Sequence, residues 1–301
     1  MVTQSARRLP RYVLHGDFRM PMGFPTAAFD SGQRYRAAPG DLFVATYPKC
    51  GTTWVQYIIY LLLNGGRPLA GRSINDVFPH LEEVGEEGVR GLPEPRLIKT
   101  HLPFGRTPWH PNARYVYVVR NPFDCAVSFY HHTRGFVRHY DFAEGAWDTF
   151  FECFLAGEVD FGDYFDHLLS WWPERDRPNV LFFTYERLSA EPATVIRAIA
   201  RFVGPPAEEW VRDPGRLEAI VRESSFDKMR HRQRRWSSER PADMPEFVRK
   251  GIVGDWASQF SAAEARQLGL KFRDRTAGTG IEGLWPGLLA AALSEKQGDR
   301  E

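Results

Sequence analysis

The chain has 301 residues, is 43% hydrophobic and 26% charged, and carries a formal net charge of +1. This balance suits a globular α/β protein and argues against broad nucleic-acid binding, which needs a strongly basic face. No apolar run reaches the roughly 18 residues of a membrane span, and the polar, basic residues 1–10 lack the apolar core of a signal peptide. The three cysteines, Cys50, Cys125 and Cys153, have no metal-ligand spacing and suggest reduced thiols in a cytoplasmic protein.

Residues 1–40 are rich in Pro, Gly, Arg and aromatic side chains and read as an irregular strap with apolar anchors, among them Phe18, Met20 and Phe24. The apolar, β-branched run over residues 41–46 reads as a buried strand. Tyr47-Pro48-Lys49-Cys50-Gly51-Thr52-Thr53-Trp54 then turns into an apolar helix over residues 55–63, closed by Asn64-Gly65-Gly66. Strand, tight loop and helix together form an anion site: the first N–H groups of the helix and the positive end of its dipole face the loop. Lys49 adds a charge there, and Thr52 and Thr53 add hydroxyls. The stretch is not the G-x-x-x-x-G-K-[ST] nucleotide loop, because Lys49 precedes Gly51. Taken alone, it could also be an ordinary strand–turn–helix with an exposed Lys.

Residues 67–95, rich in Gly, Pro and Glu, read as a long surface segment. A second strand over 96–99 ends in Thr100-His101-Leu102-Pro103-Phe104. A third over 113–119 ends in Arg120-Asn121-Pro122, where Pro122 opens a helix over 123–134. Helices are expected over 146–156 and 164–172. A fourth strand over 180–184 ends at Tyr185, and a helix over 192–203 stops at Gly204. Helical turns follow over 217–223, a basic flexible loop over 230–240 and a helix over 262–270. Residues 281–301 read as a partly disordered tail behind a domain of residues 1–280.

Repeated strand–helix units predict a single α/β domain with a mostly parallel central sheet flanked by helices. Such sheets bind ligands at the carboxyl ends of their strands. Lys49, Lys99 with His101, Arg120 and Tyr185 stand there: three cations, a candidate base and an aromatic hydroxyl, suited to a multiply anionic nucleotide. His131 and His132 are adjacent on a helix and point to different faces, which argues against a metal site.

Four segments resemble the cytosolic sulfotransferases. Tyr47 to Trp54 is similar to that family's phosphosulfate loop Y-P-K-S-G-T-T-W, and Lys99-Thr100-His101-Leu102-Pro103 to its K-T-H-L-P. Tyr117-Val118-Val119-Arg120-Asn121-Pro122 with Ser128 resembles its 3′-phosphate segment. Arg249-Lys250-Gly251 with Gly254-Asp255-Trp256 resembles R-K-G-x-x-G-D-W. The resemblance implies a donor, 3′-phosphoadenosine 5′-phosphosulfate, a product, 3′-phosphoadenosine 5′-phosphate, in-line sulfonate transfer to the hydroxyl or amine of a small phenolic or hydrophobic acceptor, and no metal. It implies that Lys49, Cys50, Gly51, Thr52 and Thr53 hold the phosphosulfate. Arg120, Ser128, Arg249, Lys250 and Gly251 would hold the 3′-phosphate, and Trp54 and Phe226 would flank the adenine beside Tyr185, Ser224 and Met229. His101 would be the base, with Lys49 and Lys99 assisting. Phe18, Met20, Phe24, His80, Phe104, Phe129 and His132 would wall the acceptor pocket.

Two departures stand out. Cys50 replaces the family's Ser, and a thiol at a helix N-terminus beside Lys49 is expected to be acidic and reactive unless donor covers it. Ala257, Ser261, Ala262 and Arg266 stand where many relatives carry the dimerising K-x-x-x-T-V-x-x-x-E, which leaves monomer and homodimer both open. Two other readings stay open: a nucleotide or small-molecule kinase with a variant phosphate loop, and a nucleotide-binding homologue without turnover.

Overall fold

In the computed structural model, which describes residues 8–237 and 246–294, two short strands open the chain. β1 (Tyr12–His15) and β2 (Phe18–Pro21) form an antiparallel hairpin, with Tyr12 opposite Pro21 and His15 opposite Phe18. The helix α1 (Thr26–Arg34) follows. The strap is therefore not irregular: Gly16-Asp17 makes a two-residue turn between four-residue strands, a signal masked by the Pro and Arg around it.

The central sheet comprises β3 (Asp41–Thr46), β4 (Arg96–Thr100), β5 (Arg114–Val119) and β6 (Val180–Thr184). Its order is β4-β3-β5-β6 and every pairing is parallel: Val44 lies opposite Lys99 and Val116, and Val119 opposite Thr184. Between β3 and β4 run α2 (Thr52–Leu63) and α3 (Leu81–Arg90). After β5 come α4 (Pro122–Gly135), α5 (Val137–Tyr140), α6 (Trp147–Ala156) and α7 (Tyr164–Trp171). Past β6 lie α8 (Tyr185–Ala190), α9 (Pro192–Val203), α10 (Ala207–Trp210), α11 (Pro214–Glu223) and α12 (Phe226–Arg230). Last are α13 (Ala262–Thr276) and α14 (Leu288–Leu293).

Every residue of β3 is buried, and strand alternation divides them between two cores. Phe43 and Ala45 join Tyr115 and Tyr117 in a core with side chains of α4, α6, α7 and α13. Leu42 and Val44 join Val116 and Val118 against α2, α9 and α11. Phe43 stacks on Tyr115 at 5.0 Å, and truncating a buried aromatic of this kind costs about 3–5 kcal/mol. Both faces of the sheet are thereby covered, leaving only the strand ends to build a site.

Three expectations are corrected. Residues 67–95 are not simply surface: α3 buries Leu81, Glu82 and Val89 against the body, because its Glu and Gly content conceals an amphipathic helix. α13 runs on to Thr276, opened by Ser261 and Glu264 in a reciprocal cap. Residues 281–293 are packed rather than a loose tail: Trp285 Nε1 donates to Glu186 Oε2 at 2.8 Å, and α14 sets Ala292 and Leu293 against Gly269. Residues 295–301, where the sequence suggests disorder, lie outside the described residues. So do residues 238–240 of the basic loop, which otherwise forms a short turn at Gln233–Arg235 and buries Trp236. Among the described residues no helix is long and apolar enough to cross a membrane.

Candidate active site

The loop from β3 to α2 is shaped by its backbone. Lys49 and Gly51 take φ values of 69° and 98°. A Cβ on Gly51 would lie 2.8 Å from a ring carbon of Tyr185, so both conformation and space demand glycine. Gly51 caps α2 without any side-chain hydrogen bond, which leaves the first N–H groups of the helix available to an anion. The Thr52 hydroxyl lies 2.6 Å from that of Thr46. Lys49 Nζ lies 3.4 Å from His132 Nδ1 and 4.2 Å above the Phe247 ring.

His101 follows β4 directly. Its Nδ1 is 2.8 Å from the carbonyl oxygen of Thr46, and a carbonyl only accepts. The ring therefore carries its proton on Nδ1 and keeps a bare lone pair on Nε2. Burial pushes the His101 imidazolium well below the usual histidine range, and Lys99 and His80 push the same way. Glu82 fixes the segment: one of its oxygens accepts from His101 N at 2.7 Å and from the Thr100 hydroxyl at 2.8 Å. Its other oxygen lies 3.1 Å from His80 Nε2. Burial raises the Glu82 carboxyl, but His80, the His101 N–H and Thr100 outweigh burial and hold it below its ordinary value. Burial also lowers Lys99, against the pull of Glu83 and Glu82.

Arg120, past the end of β5, lies 4.4 Å above the Tyr185 ring and donates to the Ile252 carbonyl at 2.9 Å. Its Nε and the Nε1 of Trp54 are buried donors with no partner among the described residues, which fits an anionic ligand. Arg249 and Lys250 both pair with Asp255, the latter at 2.7 Å. Gly251 has φ 67°, and a Cβ there would meet the Phe226 ring at 2.3 Å. Asp124 ties this segment to α4: its oxygens accept from Gly254 N at 2.8 Å, Trp256 N at 3.0 Å and Asn121 Nδ2 at 2.9 Å.

These elements enclose a cavity of about 430 Å³. Lys49, Gly51, Thr52, Thr53 and Trp54 line it from the loop, and Lys99, His101, Arg120 and Tyr185 from the other strand ends. Ser128, Ser224, Phe226, Met229, Arg249, Lys250 and Gly251 also line it, as do Phe24, His80 and His132.

Four expected wall residues lie elsewhere. Phe18 and Met20 share the inner face of β2 and bury into a cluster with Phe29, Leu102 and Phe161, while Pro21, on the alternate face, lines the cavity. Phe104 packs edge-on against Trp109 and Trp171 at 5.1 and 5.3 Å. Phe129 is buried against Tyr47 and Phe150, because Ser128 and His132, four residues apart on α4, take the cavity-facing positions. Cys50 also differs from expectation. Its side chain is fully buried and its sulfur lies 3.8 Å from Cys125 Sγ, inside the core rather than in the loop. Its backbone N–H makes a 3.3 Å bond to the Tyr47 carbonyl.

Sequence reasoning missed Glu82, Asp124, Trp236 and the cavity-lining residues Phe136, His139, Tyr140, Asp160, Phe161 and Phe247. Only Asp124 carried a local signal, as an acidic residue three after an Asn cap in Asn121-Pro122-Phe123-Asp124. Among the described residues, no group of three or more His, Cys, Asp and Glu side chains could hold a metal ion.

Residues 39–280 match the family model described as a sulfotransferase domain. Human sulfotransferase 1C2 is 36% identical over 265 residues, spanning 83% of this chain and 87% of that protein. A crystal structure of mouse sulfotransferase SULT7A1 complexed with PAP superposes with a TM-score of 0.72 at 25% identity, covering 95% of this chain and 99% of that one. Retinol dehydratase, solved with androsterone and inactive cofactor PAP, gives a TM-score of 0.79 at 22% identity over 92% of each chain.

Proposed function

This chain belongs to the sulfotransferase family, a sulfonate-transferring enzyme by that membership, and we propose that it takes 3′-phosphoadenosine 5′-phosphosulfate as donor and a small phenolic or hydrophobic molecule as acceptor, with His101 as general base. The donor supplies a sulfonate joined to phosphate through an anhydride bond. The PAP held by the mouse relative supports this choice of donor.

One observation carries the reading. The Thr46 carbonyl holds the His101 proton on Nδ1, so Nε2 is free to take a proton, in a cavity that also exposes Lys49, Lys99 and Arg120. A neutral imidazole can accept the proton of an acceptor hydroxyl as the oxygen turns nucleophilic. The Lys49 ammonium offsets negative charge gathering on the leaving phosphate oxygen, and the open N–H groups of α2 add to it. Arg120, Ser128, Arg249 and Lys250 hold the 3′-phosphate, where a guanidinium makes paired hydrogen bonds that an ammonium cannot. Asp255 gives up part of its hold on Arg249 and Lys250 when that phosphate binds. Trp54 and Phe226 flank the adenine, with Tyr185 and Ser224 at its edge.

The test is transfer of radiolabelled sulfonate from the donor to a panel of phenols, catecholamines, steroids and aliphatic alcohols, with His101→Ala beside the wild type. Transfer that the substitution abolishes, with binding of 3′-phosphoadenosine 5′-phosphate retained, is the expected result. Tight product binding with no transfer to any acceptor overturns the enzymatic reading, and no binding overturns the choice of donor.

A further inference from the structure

The acceptor side of the cavity contains a carboxyl group that the transfer chemistry does not use. Asp160 is almost wholly buried and lines the cavity. Its Oδ2 accepts from the Tyr140 hydroxyl at 2.8 Å, while its Oδ1 has no partner among the described residues. Buried carboxylate oxygens are ordinarily satisfied, because leaving one bare forfeits its hydration with nothing in exchange.

The surrounding segment is fixed. Tyr47 donates its hydroxyl proton to the Gly162 carbonyl at 2.9 Å, and Phe161 N donates to Arg19 O at 2.9 Å. Phe161 adopts φ 64°, a conformation costly for an aromatic residue, and its ring lies 5.1 Å from that of His101. Asp160 is thus held beside the residue that packs on the proposed base. Phe24, Phe136, Tyr140 and Phe161 line the same cavity. A carboxylate among aromatic rings is a chemical match for an ammonium group, which gains a charge-assisted hydrogen bond from the first and quadrupole attraction from the second.

We infer that Asp160 is a specificity-determining residue and that the acceptor carries a protonated amine, which donates to Asp160 Oδ1 while its hydroxyl faces His101. This deepens the sulfonate-transfer reading and rests on it. Burial holds the Asp160 carboxyl up at about 7, against the pull of the Tyr140 hydroxyl, as expected of a carboxylate still lacking its cation. His80 and His101 are held neutral mainly by burial, so neither supplies that cation.

Tyramine, tyrosol and 4-ethylphenol share one phenolic skeleton and end in an ammonium, a hydroxyl and a methyl group. They are titrated calorimetrically into the full chain saturated with 3′-phosphoadenosine 5′-phosphate, and their rates of sulfonation are measured, in wild type and Asp160→Asn. Tyramine is expected to bind at least about tenfold more tightly than 4-ethylphenol and more tightly than tyrosol, the margin of a charge-assisted hydrogen bond. The tyramine to 4-ethylphenol ratio is expected to fall at least about tenfold in Asp160→Asn. Equal binding of all three, tyrosol matching tyramine, or a preference that survives the substitution overturns the inference. If Asp160→Asn does not fold, the wild-type comparison alone decides it. Amine-selective binding without transfer to any phenol overturns the sulfonate-transfer reading and leaves the role of Asp160 standing. Transfer without amine selectivity does the reverse.

Discussion

His101 Nδ1 donates to the Thr46 carbonyl at 2.8 Å, joining the residue that follows β4 to the last residue of β3. The bond is possible because the two strands are parallel neighbours in the sheet, with Ala45 opposite Thr100. It fixes the tautomer, and burial keeps the ring neutral.

His101→Ala is expected to lower kcat by about 10²–10⁴-fold, the usual weight of a general base, with little change in product affinity. In the wild type the acid limb of the pH–rate profile should lie below pH 6.5, because the folded pKa is lowered. Stability carries the same signature. Below the unfolded pKa near 6.5 the unfolded chain binds protons that folded His101 refuses, so stability falls as pH drops. The slope is at most about 1.4 kcal/mol per pH unit for each such group. His167, lowered to about 3 by burial, adds a second. Urea midpoints at pH 7.5 and 5.5 check this, and His101→Ala should flatten the slope; an acid limb above pH 6.5 would rule out the buried neutral base.

Asp124, on α4, is joined to the segment bearing Arg249 and Lys250 by two accepted hydrogen bonds, from Gly254 N and Trp256 N, and accepts a third from the Asn121 cap of its own helix. Asp124→Asn turns one oxygen into a donor facing donors, an expected loss of about 1–3 kcal/mol in stability. Because the segment carries proposed phosphate ligands, the dissociation constant for 3′-phosphoadenosine 5′-phosphate should rise by about tenfold. Calorimetric titration with thermal melting separates the two effects, and an unchanged affinity would mean that the anchor is structural only.

Gly51→Ala forces an L side chain into φ 98° and against the Tyr185 ring. Strain of this kind costs about 1–3 kcal/mol. A lower melting temperature and weaker product binding are expected together, because the same turn presents the N–H groups of α2. Loss of stability with full affinity would show that the loop adapts.

Cys50, Cys125 and Cys153 form no disulfide with one another and all are buried. A chromogenic thiol reagent should therefore react slowly with the native chain and with all three cysteines in denaturant. A fast-reacting thiol protected by 3′-phosphoadenosine 5′-phosphate would restore the reactive Cys50 expected from its place beside Lys49.

The sequence by itself determined the α/β class, the four central strands and the convergence of Lys49, Lys99, His101, Arg120 and Tyr185 on one cavity. These features are local: continuous apolar, β-branched runs make the buried strands, Pro122 and Gly51 set helix starts, and parallel strands must present their carboxyl ends on one edge. Tertiary structure alone decided which neighbours of those residues face the cavity. A one-residue step along β2 exchanges Met20 for Pro21, and one along α4 exchanges Phe129 for Ser128. It alone buried the Cys50 thiol against Cys125, from a helix 75 residues further on. It also brought Glu82, from a stretch whose composition reads as surface, and Asp160, from between two expected helices, beside the His101 region. A buried carboxylate depends on partners distant in sequence, such as Tyr140 for Asp160 and the His101 N–H for Glu82, and no local pattern of residue types encodes them.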